Sequence, residues 1–217
     1  MMTVEVWSDV ACPWCCIGRA HLQSALAEFE HAAEVEVVWR SFELDPTAPA
    51  VRVESLTDLL AAKYGVGPAE VESMFDDVRE RAARLGLDFR FDLARAGSTF
   101  DAHRLLHLAR ALGQQDTLKG RLFRAHFTEG EAVGDPDTLA RIAVEAGLPA
   151  DSVAEVLASE AFADAVRADE AEARALQVTG VPFFVIDRRY AVAGAQPPEQ
   201  LLAALQRAWD ERSDQDG

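Results

Sequence analysis

Two cysteines three residues apart, Cys12 and Cys15, stand in the stretch Asp9-Val10-Ala11-Cys12-Pro13-Trp14-Cys15-Cys16-Ile17-Gly18. An alternating run with Val4 and Val6 precedes them and an amphipathic run follows, so they mark a strand-to-helix junction. Pro13 fits the first helical position, where its missing N–H costs nothing. Cys12 is then the expected N-cap, with Cys15 one turn on along the same face. Residues so spaced have Cβ atoms roughly 5–6 Å apart, close enough to bridge after a small adjustment. The open N–H groups of a first turn and the helix dipole favour thiolate over thiol. The thiolate is the nucleophile of disulfide exchange, so the unit reads as a redox site, Cys12 attacking and Cys15 resolving.

Half of a zinc site is the competing reading. Zinc takes four ligands. Beyond Cys16 the chain has no further cysteine, and its five histidines are scattered without a clear spacing, so no metal is expected. Cys16 lies about 100° round the helix from Cys15. It is expected to face away from Cys12, as a buried, inert thiol.

The bulk numbers narrow the partners. At 217 residues and 49% apolar content the chain can build one large domain or two small ones around a real core. A formal net charge of −16 argues against nucleic acid or an anionic membrane as partner. No apolar run approaches the roughly 20 residues that span a bilayer. The N-terminus enters an alternating strand at once, without a basic or apolar leader region, so no signal peptide is read and a cytoplasmic setting is expected. In that compartment three cysteines within five residues point to catalysis or metal rather than a structural framework. The chain is expected to act as a monomer or homodimer.

The elements that must position the thiols follow in order. Thr3–Trp7 reads as a half-buried strand with Thr3, Glu5 and Trp7 outward. A helix from Pro13 to about Glu30 carries Ile17, Leu22, Leu26 and Phe29 on one face. Val35–Phe42 is a second strand. Pro46 and Pro49 then break the pattern in a polar linker. The next stretch is almost wholly helical, with starts at Ser55 (with Asp58 as capping box), Pro68, Ser98 or Thr99, Asp135-Pro136 and Asp151, and a long helix from about Glu160 to Leu176. Pro182–Ile186 and Tyr190–Ala193 form a hairpin across the turn Asp187-Arg188-Arg189, and Pro197-Pro198 opens a last helix. The tail 213–217 is polar and expected to fray. Strands at both ends must close one sheet across the helical stretch. The expected fold class is therefore α/β: a thioredoxin-like fold (1–48 and 160–217) interrupted by an inserted all-helical domain (49–159).

Ser8-Asp9-x-x-Cys12-Pro13-Trp14-Cys15-x-x-Gly18 resembles the active-site signature of the DsbA-like thioredoxin superfamily, FrnE subgroup. Three further segments resemble the family in the same order. They are Phe100–Leu105, Phe127–Gly130 with Gly134-Asp135-Pro136, and Gly180–Phe184 followed by Gly194–Pro197. The resemblance implies a thiol–disulfide oxidoreductase acting on a disulfide-containing protein or a small-molecule thiol. It implies no bound cofactor, with glutathione as a possible co-substrate. The superfamily also holds glutathione-dependent 2-hydroxychromene-2-carboxylate isomerases and kappa-class glutathione transferases, which is the alternative activity. Those enzymes typically carry Ser where this chain has Cys12, which disfavours it. Members often carry Asn at the position of Ser98.

The resemblance also implies a cis bond at Val181-Pro182 facing the thiols, with the Val181 backbone pairing an extended peptide or glutathione like an added strand. A proline that merely starts a strand is the plainer reading. Trp14 is expected either as a partly exposed lid that meets substrate or as packing against the inserted domain. His103 either assists proton transfer at the substrate or is a helix-face histidine with no such role. Asp9 reads as a loop carboxylate close to Cys12, and Arg188 and Arg189 as turn residues.

Overall fold

A computed structural model of the chain describes residues 1–213; Ser213 still belongs to the last helix, and 214–217 of the expected frayed tail lie outside the described residues. These residues fall into two compact units: Met1–Phe42 with the chain from Ala168 onward, and Glu43–Arg167. The seams stand at 42/43 and 167/168 rather than at 48/49 and 159/160. Buried Glu43 accepts from Arg167 at 2.7 Å, which ties both ends of the second unit together.

In the first unit the order is β1 (Met2–Ser8), α1 (Pro13–Glu28), β2 (Val35–Ser41), the C-terminal part of α8 (Ala163–Ala175), β3 (Phe183–Ile186), β4 (Tyr190–Ala193) and α9 (Pro198–Ser213). The sheet order is β2-β1-β3-β4, with β1 parallel to β2 and antiparallel to β3. Met2, Val4 and Val6 of β1 pack with Leu22, Ala25 and Phe29 of α1 and with Leu201, Leu205 and Ala208 of α9. This core holds α1, and so the cysteines at its start, against the central strand.

The other face of β1 corrects the expectation of an outward Glu5 and Trp7. Glu5 is 3% exposed and Trp7 fully buried. Trp7 packs with Ala173, Val178 and Val185, and its indole N–H donates to the Asp169 carbonyl at 2.9 Å. Glu5 is buried because it has two cationic partners. Arg40 Nε donates to its Oε1 at 2.9 Å, and Arg188 Nη2 donates to the same oxygen at 2.7 Å. Arg40 Nη1 also donates to Asp169 Oδ1 at 2.9 Å, while Asp169 Oδ2 accepts the Ser41 N–H at 2.9 Å. Arg188 is therefore more than a turn residue: from a left-handed position (φ 55°) it staples the hairpin to β1 and, through Glu172, to α8. β1 is a central strand buried on both faces.

The second unit is helical: α2 (Leu56–Tyr64), α3 (Pro68–Ala83), α4 (Phe100–Ala111), α5 (Gln115–Phe127), α6 (Pro136–Glu145), α7 (Ala150–Leu157) and the first residues of α8. Ser55 and Asp135 cap α2 and α6 by accepting from the N–H three residues on, at 3.1 and 2.9 Å. The N-cap of α4 is Thr99, whose side chain makes no capping bond, while the Ser98 hydroxyl accepts the Phe100 N–H at 3.2 Å. Asp151 does not cap α7; that position is Pro149, and Asp151 sits within the first turn. The last helix of this unit begins at Ala163 rather than at Glu160, because Phe162 takes a left-handed conformation (φ 63°). Buried Arg104 fixes this turn by donating to the carbonyls of Val156, Ser159 and Ala161. Among the described residues no helix is long and apolar enough to cross a membrane.

Candidate active site

β1 delivers the chain into a short buried loop. Asp9, 1% exposed, accepts the Cys12 N–H on its carbonyl at 3.3 Å and the Ala11 N–H on its carboxylate at 3.4 Å. That turn sets Cys12 as N-cap of α1 in an extended conformation (φ −98°, ψ 112°), with Pro13 at the first helical position. The Cys12 carbonyl accepts from the N–H groups of both Cys15 and Cys16, at 3.1 and 3.3 Å. The Cys12 side chain makes no capping bond and is left to face the neighbouring loop. There its Sγ–H donates to the Val181 carbonyl at 3.5 Å.

All three cysteines are thiols in this structure. Cys12 keeps 5% of its surface exposed, Cys15 none and Cys16 7%, so Cys12 and not Cys15 is the member of the pair with an edge to solvent. Among the described residues no group of three or more His, Cys, Asp or Glu stands where it could hold a metal ion.

The Val181 loop is held from two sides. The Val181–Pro182 peptide is cis, and the Gly194 N–H donates to the Pro182 carbonyl at 2.8 Å, so the end of β4 clasps the loop. On the helix side, Gly18 of α1 meets the Pro182 ring: a Cβ built there would stand 2.8 Å from Pro182 Cγ and 3.3 Å from Phe184 Cζ. A glycine inside a helix lowers its propensity by about 0.8–1 kcal/mol relative to alanine. Here it is the condition for the thiols and the Val181 carbonyl to approach. Gly18→Ala is expected to lose about 1–2 kcal/mol net, because overpacking against a rigid ring outweighs the propensity gain. The melting temperature should fall by about 2–8 °C. Thermal unfolding followed by tryptophan fluorescence checks this, and a variant at least as stable as the parent removes the close approach from the account.

Trp14 is 36% exposed and joins Val181, Pro182, Gln177, Thr179, Gly180, Phe183 and residues 193–195 around a cavity of about 370 Å³. Cys12, Cys15, Trp14, Val181 and Pro182 are thus together in the first unit. His103 belongs to α4 of the second unit, 1% exposed, its backbone N–H bonded to the Thr99 carbonyl at 3.0 Å. Sequence reasoning missed Gln177 and Thr179, which have no signature of their own. The role of Gly18 had a signal, a lone glycine within an apolar helical pattern.

Comparison with known proteins gives a consistent result. The family described as DSBA-like thioredoxin domain matches residues 3–206. A probable DsbA oxidoreductase from Streptomyces coelicolor is similar in structure over 97% of this chain and 91% of that one, at 48% identity and a TM-score of 0.92. A 2-hydroxychromene-2-carboxylate isomerase shares the fold over 98% of both chains, at 15% identity and a TM-score of 0.70. The cytosolic disulfide reductase DsbM from Pseudomonas aeruginosa, in its structure with GSH, shares the fold over 96% of this chain and 99% of that one, at 22% identity and a TM-score of 0.66.

Proposed function

The chain belongs to the DSBA-like thioredoxin domain family, and from that premise we propose that it is a thiol–disulfide oxidoreductase in which Cys12 attacks and Cys15 resolves. One observation carries the assignment of roles: Cys12, at the N-cap of α1 and the less deeply buried member of the pair, directs its sulfur to the Val181 carbonyl. In the reducing direction the Cys12 thiolate attacks one sulfur of a substrate disulfide. The substrate S–S bond breaks, a mixed disulfide forms on Cys12 and one substrate thiolate leaves. Cys15 then attacks the Cys12 sulfur, closes the intramolecular disulfide and releases the second substrate thiol. Two electrons pass from the dithiol to the substrate. The Val181 backbone aligns the substrate as an added strand beside Trp14 and Pro182. With 1% of its surface exposed, His103 is assigned no contact with substrate.

No bound cofactor enters this cycle. Glutathione is the proposed electron partner and the cytoplasm the proposed compartment; the shared fold of a cytosolic reductase seen with GSH supports both. The FrnE-like signature around Cys12 agrees with this reading.

Equilibration in glutathione buffers tests the proposal, with tryptophan fluorescence as the probe and the mass of the thiol-blocked protein as the check. A reversible Cys12–Cys15 disulfide is expected. A potential near the −270 mV of thioredoxin would mark a reductant, and one near the −120 mV of DsbA an oxidant or isomerase. If no Cys12–Cys15 disulfide forms at any poise, the redox assignment falls.

A further inference from the structure

We propose that the helical unit holds a second binding site, a mixed-charge cavity that takes a short peptide with its ammonium and carboxylate ends free. The inference is independent of the thiol chemistry in the first unit. The turn that runs from Gly130 to Gly134-Asp135-Pro136 has no task in the redox cycle. In the structure Gly130, Glu131 and Asp135 of this turn line a cavity of about 450 Å³ within the second unit, with Val51, Arg95 and Arg141 around it. Glycines hold the walls close. A Cβ on Gly97 or on Gly134 would collide with the Ala50 carbonyl oxygen, so the strap that carries Val51 lies clamped against both loops. The Arg52 N–H donates to the Ala96 carbonyl and the Ser98 N–H to the Pro49 carbonyl, both at 2.8 Å, which fixes the strap along the loop of Arg95. A Cβ on Gly130 would stand 2.6 Å from Leu93 Cβ, so that loop is seated in turn against the Gly130 turn. The cavity is therefore formed before any ligand arrives, as small-molecule sites usually are.

The charges of the lining select the ligand class. Arg141 is met by Glu131 and Glu145, and Arg121 is a second cation beside Glu131, so these groups are balanced within the protein. Two lining groups keep capacity. Arg95 is exposed and, among the described residues, has no ion-pair or hydrogen-bond partner. Asp135 accepts the Thr138 N–H and hydroxyl at 2.9 and 2.7 Å, both on Oδ2, which leaves Oδ1 for a donor from outside. A lone anion at Arg95 would share the cavity with two carboxylates, Glu131 and Asp135. A lone cation at Asp135 would share it with Arg95 and Arg141. A ligand with one charge of each sign meets an opposite charge at each end, and charge-assisted hydrogen bonds are about twice as strong as neutral ones. A cavity of this volume is roughly 8 Å across, about two Cα–Cα steps, so a tripeptide can bring its two ends to separate groups. In a free amino acid the two charges sit on one carbon and cannot be parted in this way.

The test titrates the reduced, isotope-labelled full chain with trialanine, N-acetyl-trialanine, trialanine amide and alanine, and reads backbone amide shifts by NMR. At about 0.15 M salt the chain's net charge of −16 is screened beyond roughly 8 Å, so the comparison reports local contacts. Trialanine should saturate with a Kd of about 1 mM or tighter and shift the amides of Arg95, Glu131 and Asp135. Blocking either end should weaken binding about tenfold, and alanine should bind no better than the blocked forms. Arg95→Gln, at an exposed position, should weaken trialanine about tenfold and leave trialanine amide unchanged, since that probe has no carboxylate to lose. Asp135→Asn keeps the cap of α6, because asparagine caps as well as aspartate. It should weaken trialanine about tenfold and leave N-acetyl-trialanine unchanged. No saturable shift with trialanine up to about 20 mM overturns the inference. So do equal affinities for the peptide and its blocked forms, or an effect of blocking that neither substitution reproduces. Alanine binding as tightly as trialanine overturns the peptide class.

Discussion

Cys12→Ser is expected to lose thiol–disulfide exchange by roughly 10³-fold or more, because a neutral hydroxyl cannot replace the attacking thiolate. Cys15→Ser should behave differently. Its Cys12 still attacks, so incubation with a disulfide accumulates the mixed disulfide, visible as a mass gain of one substrate half. The adduct should persist, since Cys16 lies about 100° round the helix from Cys15 and is not placed to resolve it. The pair of variants separates the roles: one abolishes the first step, the other stops after it. Insulin reduction or peptide oxidation measures the first, intact-protein mass spectrometry the second. Undiminished exchange in Cys12→Ser would sink the assignment. Glutathione-dependent turnover of an aromatic metabolite that survives in Cys12→Ser would favour the isomerase or transferase alternative, whose relatives typically place Ser there. That the 2-hydroxychromene-2-carboxylate isomerase shares the fold at 15% identity does not decide between the two, because the same scaffold supports both chemistries.

The parts of this structure that were legible in the sequence are those written locally. Pro13 after Cys12 marks a helix start whatever the rest of the chain does, and α1 begins there. Ser55 and Asp135 cap their helices because the N–H each accepts is three residues away. The hairpin from Phe183 to Ala193 follows from two short apolar runs around a polar turn. What was not legible depends on partners distant in sequence. Glu5 reads as a solvent-facing residue of an alternating strand until Arg40 and Arg188 are brought to it from 35 and 183 residues away. Trp7 likewise needs Asp169, 162 residues on, to satisfy its indole. Arg104 looks like a surface residue of an amphipathic helix, yet it collects carbonyls from the last turn of α7 and from the two residues Ser159 and Ala161 beyond it, and so fixes the turn before α8. The thiol pair was legible because its spacing is chemistry in itself. The groove beside it was not, because its walls come from α1, the loop before β3 and the end of β4, and no periodicity links them.

The buried charge cluster under β1 gives the largest expected change in stability. Glu5 is 3% exposed, and burial alone would raise its pKa. The hydrogen bonds from Arg188 and Arg40, with their charges, more than offset this and hold the carboxyl below its ordinary value of 4.5. Glu5→Gln keeps the volume and removes the anion, so Arg40 loses one of its two carboxylates and Arg188 keeps only Glu172. Breaking a buried pair from one side costs about 3–5 kcal/mol, and the retained partners put this variant near the lower end. Arg188→Gln should cost no more than about 1 kcal/mol, because its side chain is 57% exposed and Glu5 retains Arg40. All four tryptophans lie in the first unit, so denaturant unfolding followed by their fluorescence reads the unit that holds the cluster. The pH dependence has a fixed sign. The Glu5 pKa is lower folded than unfolded, so its contribution is full above the unfolded value and is lost as pH falls through the folded one. The gap between parent and Glu5→Gln should therefore be widest near pH 7, by the rule above, and narrow as pH drops below the ordinary value of 4.5. A gap that stays constant over that range would show that the contribution of Glu5 does not come from its charge, and a Glu5→Gln variant as stable as the parent at neutral pH would show that β1 is held without it.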